Sequence, residues 1–341
     1  MGRAVPAWEI DELSEYRALL SARLAHVVPV SEPLVLISQI QRSGGTLLLQ
    51  LLDGHPELHV DPYELKIGHP KKHNWPPLDL AQPERWFGIL YFRGMVERIR
   101  RTERTRRPSS GRSVFPYLFS PRLQKQIFDA RIGAEPPTSE RGILDAYFTS
   151  YFNAWLDNQS LYAAPKRAVV GFTPRLAMDP ANVERYFGAY PDGTLVSIVR
   201  DPGAWFLSAS RHMPHRYGEV EAAIELWAAS VDAALAAADR HGRRVLVLTY
   251  EQLVGDTERT MRLVAERIGI ATSPSLLAPT FNRQPAVANS SSAATGHGVL
   301  AERATAYRDA LDRETLARIA ERAGDRYDRA AAASGSLAAV P

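Results

Sequence analysis

With 341 residues, 45% apolar and 23% charged, and a formal net charge of +3, the chain suits one large or two ordinary globular domains and excludes a disordered, collagenous or coiled-coil protein. The absence of cysteine excludes disulfides, thiolate chemistry and every metal or cluster site that needs sulfur ligands. Glu9, Asp11, Glu12 and Glu15 stand where a signal peptide is apolar, and Pro6 where a myristoylation motif has Ser or Thr; with no run of about 18 apolar residues, the sequence predicts a cytoplasmic protein without a membrane span.

The first predicted element is a helix over residues 10–25, from Leu13, Tyr16, Leu19, Leu20 and Leu24 at helical spacing, with Pro29 and Pro33 beyond it. Leu34–Ile37 is a short continuous apolar run, the pattern of a buried parallel strand. A polar turn, 38–45, leads into a helix with Leu47, Leu48, Leu51 and Leu52, closed by Asp53-Gly54. Between Arg93 and Arg107 seven arginines face only Glu97 and Glu103. No aromatic residues interleave with them, so a solvated helical face fits better than a single-stranded nucleic-acid groove. Residues 104–121, rich in Pro and Arg, read as an insertion loop. Ile143, Leu144, Tyr147, Phe148, Tyr151, Phe152, Trp155 and Leu156 make a broad apolar helix face. Strands are predicted at Ala168–Phe172, Thr194–Val199 and Val245–Thr249, and helices at 182–190, Pro202–His212, 219–240 and Thr257–Ile268. Residues 330–341 read as a frayed, low-complexity tail. Short buried strands alternating with helices predict an α/β protein, a three-layer parallel sheet flanked by helices with helical insertions. A single domain over 1–330, an insertion at 65–165 and a flexible tail at 331–341 is the simplest organisation.

A strand, a glycine-containing loop and a helix N-terminus in succession make an anion site, because free backbone N–H groups and the positive end of the helix dipole converge there. Here the loop reads Gln39-Ile40-Gln41-Arg42-Ser43-Gly44-Gly45-Thr46. The nucleoside-triphosphatase pattern has glycine where Gln39 stands and lysine where Gly45 stands, so γ-phosphate chemistry lacks its lysine here. Arg42 opens the turn instead, and Asp53-Gly54-His55-Pro56 follows the leucine-rich helix. This succession resembles the 5′-phosphosulfate loop of sulfotransferases that use 3′-phosphoadenosine 5′-phosphosulfate (PAPS). The run 196–212, a strand ending in Arg200-Asp201-Pro202 with Ser208 eight positions after the arginine, resembles the family's 3′-phosphate motif. An arginine fork and a hydroxyl two helical turns apart grip a phosphate that ordinary adenosine nucleotides lack. The segment 245–253 with Tyr250, Glu251 and Gln252 resembles a late strand-plus-Tyr-Glu-Asp-Leu signature, with Gln252 where Asp is usual. Asn289-Ser290-Ser291 before Gly296 is similar to the nucleotide-closing segment of bacterial members. Together the ordered matches cover about residues 34–320.

The resemblance implies a P-loop-like sulfotransferase fold, with PAPS as co-substrate and no metal required. It implies transfer of the sulfuryl group to a hydroxyl or amine of a small-molecule or glycan acceptor by in-line displacement, with catalysis mostly by positioning and electrostatics. It assigns Gln41, Arg42, Ser43, Gly44, Gly45, Thr46 and Leu47 to the 5′-phosphosulfate loop. Arg200 and Ser208 fall to the 3′-phosphate, and Tyr250, Ser290 and Ser291 to the rest of the nucleotide site. Gly45 stands where Thr is commoner, which leaves Ser43 and Thr46 as the side-chain donors. The basic Arg-Lys-Gly string of animal cytosolic members is missing. Arg42 is expected to stabilise the leaving oxygen. Glu64 matches the catalytic glutamate of glycan- and protein-tyrosine-directed relatives, against the alternative of a salt bridge to Lys66 or Arg42. His69 and His73, beside Lys71 and Lys72, are the alternative bases, since the animal cytosolic branch uses a histidine. Arg175, in Thr173-Pro174-Arg175 at a strand end, reads equally as a contact to sulfate or acceptor and as an ion pair; His55 reads as a capping or core residue. Tyr147, Tyr151, Trp155, Trp75 and Trp86 suit an acceptor wall within 65–165 or the core.

No nucleic-acid partner is expected, and the sequence leaves a homo-oligomer open. Two other readings compete. A P-loop-like kinase of small metabolites would show turnover dependent on ATP and magnesium. A non-enzymatic nucleotide- or nucleic-acid-binding module would use the Arg93 to Arg107 stretch and show salt-sensitive retention of RNA or DNA.

Overall fold

A computed structural model of the chain describes residues 7–65, 67, 73–94, 96, 118–286, 298, 299 and 301–336. Five strands, β1 (Leu34–Ile37), β2 (Leu58–Glu64), β3 (Ala168–Phe172), β4 (Thr194–Val199) and β5 (Val245–Thr249), form one sheet in the order β2-β3-β1-β4-β5. Every pairing in it is parallel. Four of these strands are the apolar runs read from the sequence, and parallel strands covered on both faces need such runs.

Because side chains alternate across a strand, each run feeds two cores. Val35, Ile37, Leu58, Val60, Val170, Val196, Ile198, Leu246 and Leu248 pack with Leu48, Leu51 and Leu52 of the helix Gly45–Asp53 and with Met261 and Val264 of Thr257–Ile268. Leu34, Leu36, Val169, Leu195, Val245 and Val247 face the opposite way, onto the helices Glu140–Ala154, Pro180–Ala189 and Val220–His241. The result is the predicted three-layer α/β arrangement. Each fully buried leucine of the first core contributes about 1.5–3 kcal/mol.

β2 was not among the predicted strands. Its sequence, Leu58-His59-Val60-Asp61-Pro62-Tyr63-Glu64, breaks the apolar run with Asp61 and Pro62. Proline is tolerated because β2 lies at the sheet edge. The register slips between Val60 and Glu64, which brings Glu64 opposite Phe172 at the end of β3. Within β2, His59 stacks on Phe152 with centroids 4.8 Å apart, and burial lowers its pKa to about 3. Asp61 is buried as well. Its Oδ1 accepts a hydrogen bond from Tyr63 N at 2.9 Å, and burial pushes its carboxyl up to about 7.

The C-terminal part also departs from expectation. Helices Arg313–Ala323 and Arg326–Ser336 pack on the body, and Ala330, at the start of the stretch read as a frayed tail, is fully buried. Residues 337–341 lie outside the described residues, as do most of the Arg93 to Arg107 stretch and the loop at 104–117. Among the described residues no helix is long and apolar enough to cross a membrane.

The winding order positions the site. From β1 the chain goes out to β2, returns to β3 beside β1, then crosses to β4 and β5 on the other flank. The segments that follow the carboxyl ends of β1, β3 and β4 therefore emerge side by side, where the winding reverses and open α/β sheets bind ligands.

Candidate active site

The loop after β1 is held in a conformation its residues would not choose alone. Arg42 has φ 74° and Gly44 φ 108°, both in the left-handed region, which costs an L-residue about 1–2 kcal/mol. Three bonds from distant elements hold the loop. Trp205 Nε1 donates to Gln41 O at 2.8 Å, Arg200 Nη1 to Arg42 O at 3.2 Å, and Arg42 Nε to Ser208 Oγ at 3.1 Å. At Gly44 a Cβ would lie 2.6 Å from Tyr250 Cδ2, so the left-handed turn and the ring both require glycine. At Gly45 a Cβ would run into the Gln39 amide and the Phe172 ring. That collision accounts for glycine where threonine is commoner.

The second cation comes from β4. Arg200 ends the strand, its carbonyl accepts from Trp227 Nε1 at 3.0 Å, and its guanidinium stacks over Tyr250 at 4.5 Å. Asp201 caps the helix Pro202–His212 by accepting from Gly203 N at 2.9 Å and Ala204 N at 3.0 Å. Its own N–H donates to the Glu251 carboxylate at 3.2 Å, and its Oδ2 accepts from Tyr307 at 3.0 Å. Gln252, the departure from the late signature, completes a capping box with Thr249 at the start of the next helix.

The electrostatics call for an anion. Burial and the neighbouring Arg200 both lower the Arg42 pKa, as expected for two adjacent guanidinium groups. The Ser43 hydroxyl is buried in the loop with no hydrogen-bond partner among the described residues. An orphaned donor beside paired cations at a helix N-terminus fits a bound phosphate group. The chemistry of this donor set, an orphaned hydroxyl beside two adjacent guanidinium groups, fits the phosphate groups of a nucleotide such as PAPS.

Residues 33–274 match the model of the Sulfotransferase family. The chain belongs to the sulfotransferase family. It is therefore an enzyme of sulfuryl transfer. Among solved structures, the sulfotransferase is similar to the sulfotransferase domain of the Synechococcus PCC 7002 olefin synthase, with 21% identity over 87% of this chain and 97% of that one and a TM-score of 0.49. The sulfotransferase domain of the curacin biosynthetic pathway has 21% identity, 85% and 96% coverage and a TM-score of 0.46. A sulfotransferase from Alicyclobacillus acidocaldarius has 16% identity, 86% and 96% coverage and a TM-score of 0.40. No curated protein sequence matches the chain.

Within this sulfotransferase the residues assigned to the nucleotide fall into two groups. Residues 41–47, Arg200, Ser208 and Tyr250 come together around one loop through the contacts above. Ser290 and Ser291 lie outside the described residues, as do Lys66, His69, Lys71 and Lys72. Glu64 sits half-buried at the end of β2, on the same edge of the sheet as the loop, with Arg175 close enough to feel its charge. His73 is otherwise engaged than a base requires. Its Nδ1 bonds to Pro174 O at 2.8 Å and its Nε2 to Arg175 Nη2 at 2.9 Å. His55 is structural: buried, it bonds through Nε2 to Ala271 O at 2.8 Å and accepts from Glu57 N at 3.2 Å.

The aromatic candidates lean to the core. Trp75, Trp86 and Trp155 are buried, Trp75 donating to Glu140 at 2.8 Å and Trp86 to Asp79 O at 2.7 Å. Tyr147 and Tyr151 are buried and stacked at 6.4 Å. Sequence reasoning missed Gln39 and Trp205, whose polar atoms line or brace the loop, and Trp227, which braces Arg200. Trp205 stood inside the 3′-phosphate motif, but nothing local tied its indole to Gln41.

Proposed function

We propose that this sulfotransferase uses PAPS as its donor and passes the sulfuryl group to a hydroxyl or amine of a small-molecule or glycan acceptor. The carrying observation is the meeting of the Arg42 loop with Arg200 and Ser208, two anion-binding segments from different strands joined by direct hydrogen bonds. When bound, PAPS supplies a sulfuryl group whose bond to the 5′-phosphate breaks with the electron pair going to the phosphate oxygen. The loop N–H groups and Thr46 hold that phosphate, and Arg42 offsets the charge gained by the leaving oxygen. Arg200 and Ser208 hold the 3′-phosphate. Glu64 takes the proton from the attacking acceptor group.

Titration calorimetry with adenosine 3′,5′-bisphosphate (PAP) and with 5′-AMP tests the donor. PAP is expected to bind about 10–100-fold more tightly, the worth of one or two charge-assisted bonds, and Arg200→Ala to erase most of the difference. Equal affinities in the unaltered enzyme would remove the 3′-phosphate assignment. In the same set, Glu64→Gln is expected to lower kcat about 10²–10⁴-fold while the PAP Kd stays unchanged; normal turnover would discharge Glu64 from its role.

A further inference from the structure

The turn after β3 is stitched to both neighbouring strands. Thr173 N donates to Ile37 O at 2.9 Å, Thr173 Oγ1 to Leu65 O at 2.8 Å, and Arg175 N to Gln39 O at 2.9 Å. Arg175 itself has φ 66°, a left-handed angle that an arginine keeps only where its surroundings impose it. Its backbone is thereby tied to the loop after β1, while its guanidinium lies close enough to Glu64, at the end of β2, to feel its charge.

The guanidinium is oriented without being neutralised. A carbonyl oxygen only accepts, so the contact to Pro174 O places the His73 proton on Nδ1. Nε2 is then the acceptor for Arg175 Nη2 at 2.9 Å, and the ring is neutral. Among the described residues Arg175 makes no ion pair with a carboxylate, and its Nε is buried with no hydrogen-bond partner. The charges acting on it come from Arg216, Tyr217 and Glu64, and burial with Arg216 lowers its pKa. Tyr217 in turn reaches Gln41 of the loop, OH to Oε1 3.5 Å. Arg175 thus stands between the base proposed above and the loop proposed to hold the donor, with an unspent donor and a neutral partner. With no carboxylate partner among the described residues, the ion-pair alternative has no support in the geometry of Arg175.

We propose that Arg175 is a catalytic residue that binds the oxygens of the transferring sulfonate, and that His73 is its positioning residue; the assignment rests on PAPS being the donor. The acceptor oxygen forms its bond to sulfur as the sulfur–oxygen bond to the 5′-phosphate breaks. The electron pair leaves with the phosphate, and the acceptor proton goes to Glu64. Arg175 gains and loses no proton.

PAP and PAPS differ by the sulfonate, so their affinities separate this role from nucleotide binding. Calorimetry without acceptor is expected to show Arg175→Gln binding PAP within about twofold of the unaltered enzyme while PAPS affinity falls about tenfold, and kcat falls about 10²–10³-fold, the range for losing one preorganised donor. Arg175→Lys, which keeps the charge and loses the fork, is expected to lie between and guards against a folding defect in the glutamine variant. His73→Ala should lower kcat about tenfold at unchanged PAP affinity, with His73→Gln, whose amide oxygen also accepts from a guanidinium, recovering most of it. A PAPS-to-PAP affinity ratio unchanged in both Arg175 variants would overturn the proposal. PAP binding absent from the unaltered enzyme would instead strike at the donor reading on which it rests.

Discussion

Gly44 answers to two constraints at once, a φ of 108° and a tyrosine ring where its Cβ would be. Substitution by alanine removes none of the side chains proposed to hold phosphate, but it forces the loop backbone or the Tyr250 ring to move. Gly44→Ala is expected to weaken PAP about 10-fold or more, from about 1–3 kcal/mol of strain, and a PAP titration reads it. Asp61 tests a different property. Its carboxyl is pushed up to about 7 in the fold from an ordinary value of 3.8. The folded chain therefore holds a proton that the unfolded chain releases between about pH 4 and 7. Asp61 leaves stability intact below that window and erodes it as pH rises through 7, by up to about 4 kcal/mol. Urea unfolding at pH 5 and 8 should show the larger part of this loss, about 3 kcal/mol, in the unaltered enzyme and a flatter profile in Asp61→Asn. At this scale the sequence was legible where chemistry is local: Arg42, Ser43 and Arg200 stand next to the strand ends that aim them. Arg175 and His73 lie 102 positions apart, and no spacing rule announces a contact that only the crossover from β2 to β3 creates.

The helix Pro202–His212 shows how an element carries two duties. Its N-terminal turn is capped by Asp201 while its second turn presents Ser208 to Arg42. Asp201→Ala is expected to cost about 1–2 kcal/mol of stability, as lost N-caps do, and to weaken PAP in parallel by loosening the arginine that precedes the cap. Thermal melting and calorimetry on the same variant check both, and a lost cap with intact PAP affinity would mean that β4 alone sets Arg200. The helix was readable because proline at its first position and aspartate before it are strong local signals. β2 was not, since Asp61 and Pro62 remove the two cues of a strand. Only the edge position, a property of the whole sheet, makes them tolerable.

Taken whole, the molecule places its proposed donor grip and proposed base on one edge of a parallel sheet, and a third set of contacts reaches that edge from beyond the family match that ends at residue 274. Tyr307 donates to Asp201 and packs on Gly203, where a Cβ would lie 2.5 Å from its ring. Tyr327 donates to Glu251 at 2.8 Å, and Glu251 accepts from Asp201 N. A Tyr307→Phe, Tyr327→Phe double variant is expected to keep the fold and to bind PAP about 3–10-fold more weakly, one or two net hydrogen bonds removed from the support rather than from the ligand. Unchanged affinity would confine both tyrosines to packing. The family pattern stops short of these residues, so a copy trimmed to the recognisable portion would look complete on paper. It would nonetheless have shed the buttress that Tyr307 and Tyr327 set behind Asp201 and Glu251. A protein cut ahead of Tyr307 is therefore expected to hold its nucleotide more loosely although every residue proposed to grip the phosphates in the Arg42 loop and at Arg200 is still present.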